Sequence, residues 1–288
     1  MRKTFPPRSA SSKSAKPFGK PGKGRPFPPR DKTEPKPVPA SLKGDRPKAL
    51  SHVPDPGNDL IYGIHSAAAV LANPARKIRK LWATENGLQR LKEEGVTAAL
   101  SPEIVHPRIL DHLLTGQDAV HQGVVLEALP LKQPRLDQVP RDGLVVLLDQ
   151  VTDPHNVGAI LRSCAAFGVK ALVTTARHAP HETGVFFKAA SGAYEHVPVT
   201  RVTNLSAAME ELRGYGFRLV GLDSEAPVTL AEASRKLPLA LVLGSEGKGL
   251  REKTRATCDE VVRLDMPGSI KSLNVSIAAA ISLYALTH

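Results

Sequence analysis

The sequence predicts an α/β protein: a parallel sheet covered by helices on both faces, preceded by a smaller α/β segment and a basic arm. Three observations carry this reading. Residues 144–148 and 239–243 are unbroken apolar runs, the pattern of strands buried on both faces. Strand-like and helix-like stretches alternate from about residue 60 to the end. Residues 1–58 hold 14 Lys/Arg against 4 Asp/Glu and 13 of the 25 prolines, whereas residues 59–288 hold 25 Lys/Arg against 24 Asp/Glu.

The arm, residues 1–58, has too little aliphatic content to offset the entropy of ordering, so disorder is expected. Its cations suit a polyanion such as RNA through counterion release. The plain alternative is a solubilising tail. No apolar run reaches the roughly 18 residues of a membrane span, and the basic start lacks the apolar core of a secretory signal. Cys164 and Cys258 form no Cys-x-x-Cys pair, which argues for a reducing, cytoplasmic setting and no structural metal.

The first globular segment, residues 59–129, reads as a helix capped by Ser66 and ended by Pro74, then a strand at 78–83 and a helix at 88–94 closed by Gly95. A strand at 96–100, a helix at 102–114 and a strand at 120–126 follow. Residues 130–142, with three prolines and no periodicity, are the linker. The second segment, residues 143–288, opens with the strand at 144–149. A helix at 156–167, a strand at 170–174, a helix at 183–191 and a strand at 197–199 come next. A helix at 205–213 and strands at 217–222 and 239–243 lead to a short helix at 250–256 and a strand at 260–264. The last helix starts at Ser272 as N-cap. Val275, Ile277, Ile281, Leu283 and Tyr284 leave it almost no polar face, so burial on more than one side is expected, in a core, a subunit interface or both.

Three constellations fall at the carboxyl ends of expected strands, where open α/β sheets bind ligands. In the first, a polar turn from Asp149 leads to Asn156, an expected N-cap, and Arg162. Arg162 shares its helix with Ile160, Leu161, Cys164 and Phe167, and a guanidinium in apolar company needs an anionic or carbonyl partner. An internal carboxylate and a phosphate or ribose are both open. The second is the turn Gly244-Ser245-Glu246-Gly247-Lys248-Gly249. Its glycines permit close backbone approach. Their order is neither the dinucleotide fingerprint nor the Walker loop, which disfavours a nicotinamide oxidoreductase. Glu246 would repel a pyrophosphate and suits a ligand with a positive centre or hydroxyl donors. The third holds Met266, Gly268, Ser272 and Asn274, a Pro-Gly loop feeding a helix with a polar first turn. Taken alone, ordinary capping of a core helix is the plainer explanation.

Taken together, Asn156 with Arg162, Leu243-Gly-Ser-Glu-Gly247 and Ser272-Leu-Asn-Val275 resemble, in order and spacing, the three motifs of the SpoU (TrmH-like) RNA ribose 2′-O-methyltransferases. Ile61-Tyr-Gly-Ile-His65, Ala119-Val-His-Gln-Gly123, Ala189-Ala-Ser-Gly-Ala193 with Glu195-His-Val-Pro198, and Arg201-Val-Thr-Asn-Leu205 extend the likeness to the subfamily acting on guanosine of 23S rRNA. The resemblance spans residues 59–288. It implies a trefoil-knotted catalytic domain that binds S-adenosylmethionine, with backbone contacts at Gly244, Leu264 and Leu273 and with Met266 in the same pocket. It also implies a homodimer whose sites are completed across the interface, and a ribosomal-protein-like front domain that captures RNA. Leu264-Asp265-Met266 departs from the family's usual Ile-Pro-Met. The lost proline loosens that loop, and Asp265 adds a carboxylate near the expected adenosine pocket.

The implied reaction passes a methyl group to a ribose 2′-hydroxyl, so positioning and the handling of one proton are the protein's tasks. The family assigns activation of that hydroxyl to the position of Arg162. An arginine is neutral at pH 7 only at a cost of roughly 7–9 kcal/mol. Arg162 is therefore expected to clamp a phosphate and stabilise developing alkoxide. Asn156, Glu246, Ser272 and Asn274 would orient it and the ribose. His65 and His155 match no catalytic position of the family. Action on tRNA, and a non-catalytic RNA-binding assembly factor of the same fold, are the alternatives.

Overall fold

The computed structural model describes residues 52–96, 100–114, 119–177, 179–233 and 235–288. These lie in one compact unit, Pro47–His288. Arm residues 1–51 and the centre of the strand expected at 96–100 lie outside the described residues.

The larger sheet has seven strands: β5 (Leu144–Asp149), β6 (Ala171–Thr175), β7 (Val199–Val202), β8 (Arg218–Leu222), β9 (Val228–Thr229), β10 (Leu239–Gly244) and β11 (Glu260–Arg263). Their order is β7-β6-β5-β10-β8-β11-β9, and every pairing is parallel. The apolar runs are explained by alternation. Val145 and Leu147 of β5, with Ala240 and Val242 of β10, face one core. Val146 and Leu148, with Leu241 and Leu243, face the other. On the first side lies α6 (Leu205–Gly214), through Leu205, Ala208, Met209 and Leu212. On the second lie α4 (Pro154–Ala166), α5 (Gly184–Ala190) and α8 (Val275–Thr287). The short α7 (Glu252–Thr257) follows the turn after β10.

The smaller sheet holds β1 (Asp59–Tyr62), β2 (Ile78–Ala83), β3 (Glu103–Ile104) and β4 (Val124–Ala128) in the order β1-β4-β2-β3. β4 runs antiparallel to β1 and β2, and β3 is parallel to β2. Helices α1 (Ile64–Ala72), α2 (Glu85–Glu93) and α3 (Pro107–Leu113) accompany it. Ile61, Leu81, Ala83 and Leu126 belong to the same apolar cluster as α4 and α8. Tyr62, Trp82 and Val125 pack on the other face with Leu110 of α3.

Several expectations change. Gly63, not Ser66, occupies the cap of α1; the Ser66 hydroxyl instead donates to the Phe187 carbonyl at 2.9 Å. The helix expected at 102–114 is the short strand β3 followed by α3. The strand expected from 120 begins at Val124, because Gln122 and Gly123 turn through positive φ. α4 starts at Pro154 with Asp153 as N-cap, so Asn156 lies inside the helix and is released from capping. α8 is capped by Asn274, two residues beyond Ser272. It buries Val275, Ala279, Ser282 and Leu283 only, leaving Ile277 and Tyr284 52% and 59% exposed. Residues 52–58, counted with the arm, hold a defined position: the His52 ring, Asp55 N–H and Asn58 amide all reach the buried Glu127 carboxylate.

Candidate active site

The turn after β10 is built by its glycines. A side chain at Gly244 would put Cβ 2.1 Å from the Gly249 carbonyl carbon, so only glycine lets the loop fold back on itself. Ser245 N–H donates to Gly249 O at 3.1 Å, and Gly249 N–H returns to Ser245 O at 2.9 Å. Behind the turn, Asp149 at the end of β5 is buried and accepts from Arg251 N–H at 3.0 Å and Arg251 Nε at 2.7 Å. That pair pins the exit of the β10 turn to the neighbouring strand end. Asp149, missed as a site residue, thus supports the turn from behind.

This turn, the end of β8 and the segment between β11 and α8 enclose a cavity of about 460 Å³. Such a volume suits a small-molecule cofactor. Gly244, Glu246, Leu264, Met266, Ser272 and Leu273 all line it. Leu243, Val275 and Ala278 supply further apolar wall, while Asp223 and Glu225 add carboxylates from beyond β8. Asp223 is paired with Arg255. Lys271 Nζ donates to Met266 O at 2.6 Å and ties the loop before α8 across its own turn. Asp265 is exposed and does not line the cavity, so the carboxylate expected beside the pocket points elsewhere.

At the rim, three predicted residues from three distant segments meet. Asn274 Nδ2 donates to Asn156 Oδ1 at 2.9 Å and to Glu246 Oε2 at 3.3 Å. Asn274 Oδ1 accepts from Ser276 N–H at 2.9 Å and from the Ser276 hydroxyl at 2.6 Å. The backbone donor settles which end of the Asn274 amide is oxygen. Asn156 must then turn its own oxygen toward Asn274. Its Nδ2 has no partner among the described residues and faces away from Asn274, free to donate to a ligand oxygen.

Arg162 behaves differently. It is exposed on α4, lines neither the cavity nor the rim, and has no ion pair or hydrogen bond among the described residues. The internal carboxylate partner is ruled out among these residues. The apolar residues that suggested burial, Ile160, Leu161 and Cys164, occupy the inward side of α4. His155 is likewise exposed, with only its backbone N–H engaged by the Asp153 cap.

The similarities to known proteins follow this layout. The SpoU rRNA Methylase family description matches residues 143–284, and that of RNA 2'-O ribose methyltransferase substrate binding matches residues 60–134. The 23S rRNA (guanosine-2'-O-)-methyltransferase RlmB of Photobacterium profundum is 36% identical over 241 residues, covering 79% of this chain and 96% of the relative. RlmB of Haemophilus influenzae is 35% identical over 242 residues, covering 80% and 98%. In structure, the SpoU methyltransferase AviRb from Streptomyces viridochromogenes, in complex with the cofactor AdoMet, has a TM-score of 0.67 at 26% identity, covering 80% of this chain and 89% of that one. With the second and third motif segments lining one cavity, Asn156 of the first hydrogen-bonded at its rim, and the similarity running through both sheets, the chain belongs to the SpoU rRNA methylase family.

Proposed function

We propose that this protein methylates the ribose 2′-hydroxyl of a guanosine in 23S rRNA, acting as a cytoplasmic homodimer that uses S-adenosylmethionine. The observation that carries the reading is the meeting of Asn156, Glu246 and Asn274 at the rim of the cavity formed by the second and third motif turns. The lining fits the cofactor's chemistry. Leu243, Leu264 and Leu273 offer apolar wall for an adenine ring, and the carboxylates of Asp223, Glu225 and Glu246 suit ribose hydroxyls and a cationic centre. When bound, S-adenosylmethionine supplies an electrophilic methyl group and departs as a neutral thioether.

The chain's own residues position the acceptor. Asn156 donates to a substrate oxygen through its unpartnered Nδ2, held in orientation by Asn274. Arg162 provides the cation for a substrate phosphate and for charge developing on the 2′-oxygen. Because it does not reach this chain's own cavity, a second subunit delivers it. Ile277, Ile281 and Tyr284 form an exposed stripe on α8, at helical spacing, and α8 packs on α4. Burying that stripe against a partner's α4–α8 pair brings the partner's arginine toward the rim.

The same reading places RNA capture in residues 59–129, the linker at 130–142, methyl transfer in 143–288 and an accessory RNA contact in the arm 1–58. It also threads the chain as a trefoil. In its support, β10 lies between β5 and β8, and the segment before α8 returns across the ends of those strands to line the cavity.

Transfer from labelled S-adenosylmethionine to in vitro transcribed 23S rRNA and to bulk tRNA, with ribose-methylation mapping, tests the proposal. A single methylated guanosine in 23S rRNA is expected. Methylation of tRNA instead would replace the substrate, and RNA binding without transfer to either would replace the enzyme by a binding factor.

A further inference from the structure

Arg76 lies in the loop between α1 and β2 and has a side chain with no exposure. Its Nη1 donates to Asp59 Oδ2 at 2.6 Å and to Leu129 O at 2.7 Å, both at the edge of the smaller sheet. Its Nε turns the other way and donates to Glu195 at 3.1 Å, within the segment that follows α5, while Nη2 lies 3.0 Å from the same carboxylate as an ion pair without a hydrogen bond. Glu195 is itself buried and also accepts from Asn73 Nδ2 at 2.7 Å. The guanidinium plane sits 5.8 Å from the Phe187 ring centroid and 5.7 Å from that of Tyr194. One buried cation therefore joins the sheet that carries the substrate-binding similarity to the half that carries the methylase similarity.

The surroundings do not resemble a hinge. The two halves share one apolar cluster, in which Ile64 and Ala67 of α1 join Phe187, Ala190 and Tyr194. Gly192, at φ 88°, sits so close to α1 that a Cβ there would lie 2.6 Å from Ala69 Cβ. Lys188 Nζ reaches across to Gln122 Oε1 at 2.5 Å. Relative motion is the default for linked domains unless the interface is large and apolar. Here it is apolar and carries a buried charge triad, a device that specifies register better than it adds stability.

We propose that Arg76 is a positioning residue: with Asp59 and Glu195 it locks the smaller sheet onto the methyltransferase half in one orientation, fixing the distance from captured RNA to the methyl-transfer cavity. This rests on the reading that the smaller sheet captures RNA. It also gives the motifs around Gly63, Gln122 and Gly192 a different task from RNA contact, because those residues are spent on the junction between the halves.

The test separates the lock from the chemistry. Spin labels at Lys92→Cys and Ala207→Cys, in a Cys258→Ser background and diluted with unlabelled protein, report the distance between the halves without requiring activity. A single narrow distribution is expected for the otherwise native chain, and a broadened one for Arg76→Met and for Glu195→Gln, a near-isosteric change that keeps the side-chain volume. In the same variants, turnover on saturating 23S rRNA should fall at least about tenfold, as misplacement of a reactant does, with the Kd for S-adenosylmethionine within about twofold. A broad distribution in the native chain overturns the lock. So does a distribution that stays narrow in Glu195→Gln, and unchanged turnover despite broadening overturns the positioning role. Should Arg76→Met not fold, the native and Glu195→Gln measurements still decide.

Discussion

Asn274 gives its amide nitrogen to Asn156 Oδ1, 2.9 Å away and 118 residues earlier in the chain. Its other end caps α8 through Ser276 N–H. One side chain thus starts the last helix and fixes the orientation of a residue on α4. The two tasks separate by substitution. Asn274→Asp keeps the capping oxygen but sets a second oxygen against Asn156 Oδ1 and Glu246. Stability should stay within about 1 kcal/mol of the native protein, while methyl transfer falls about 10- to 100-fold. Urea unfolding and a transfer assay on the same preparation check this, and native turnover in Asn274→Asp would remove the rim cluster from the mechanism.

How far this arrangement is legible in the sequence depends on where its information lies. β5 and β10 can be placed because both of their faces are apolar, a signal contained in six residues each. β3 cannot, since two residues carry no period. The start of α4 has a local signal beyond Asn156: an Asp followed by Pro is a strong N-terminal pair. The start of α8 has none that decides, because Ser272 and Asn274 both cap well. Contacts with Asn156 and Glu246 make the choice, and they come from elsewhere in the fold. The motif turns can be expected to share a crevice from strand direction alone. The exposure of Arg162 cannot be foreseen, because a mixed helix does not announce which side its neighbours will cover. Nor can the junction at Arg76, whose partner Glu195 lies 119 residues away.

Arg162 has no internal partner among the described residues, which makes its removal informative. Arg162→Ala should abolish transfer while cofactor affinity stays within a few-fold, because the residue lines no part of the cavity. Arg162→Lys should recover only part, since an ammonium lacks the planar fork. Delivery by a second subunit is tested by mixing. Arg162→Ala chains and the strongly impaired Asn274→Asp chains, unfolded and refolded together, should rise to roughly a quarter of native activity, because half of the random dimers carry one intact composite site. No recovery, with dimers verified by mass, would place Arg162 and Asn274 in the same subunit's site.

Glu127 predicts a pH effect in the smaller sheet. It is 1% exposed. Burial alone would raise its pKa, but hydrogen bonds from Asn58, the Asp55 N–H and His52 outweigh it and hold the value below the ordinary 4.5. A carboxyl depressed by folding adds stability that is present in full above its unfolded pKa and lost as pH falls through the folded one. Glu127→Gln, which puts an amide nitrogen against at least one of these donors, should cost about 1–3 kcal/mol at pH 7. The difference from the native protein should shrink as pH drops below about 4. Chemical denaturation at both pH values measures it, and a gap that widens in acid would mean the carboxylate is not the stabilising form.

The arm's charge gives a prediction with a salt signature. All 14 of its Lys/Arg precede residue 52, whereas His52, Asp55 and Asn58 serve Glu127. Deleting residues 1–51 therefore removes the cations and spares those hydrogen bonds. If the cations meet RNA phosphates, every phosphate that the shortened chain no longer neutralises should flatten the slope of log affinity against log salt by about 0.7–0.9. The deletion should weaken RNA binding strongly at low salt and little at high salt, with the apparent unfolding midpoint unchanged. Filter binding across a salt series reads the affinities and the slope, and thermal unfolding reads the midpoint. Equal weakening at every salt concentration would contradict counterion release and assign the arm an interaction that does not depend on charge.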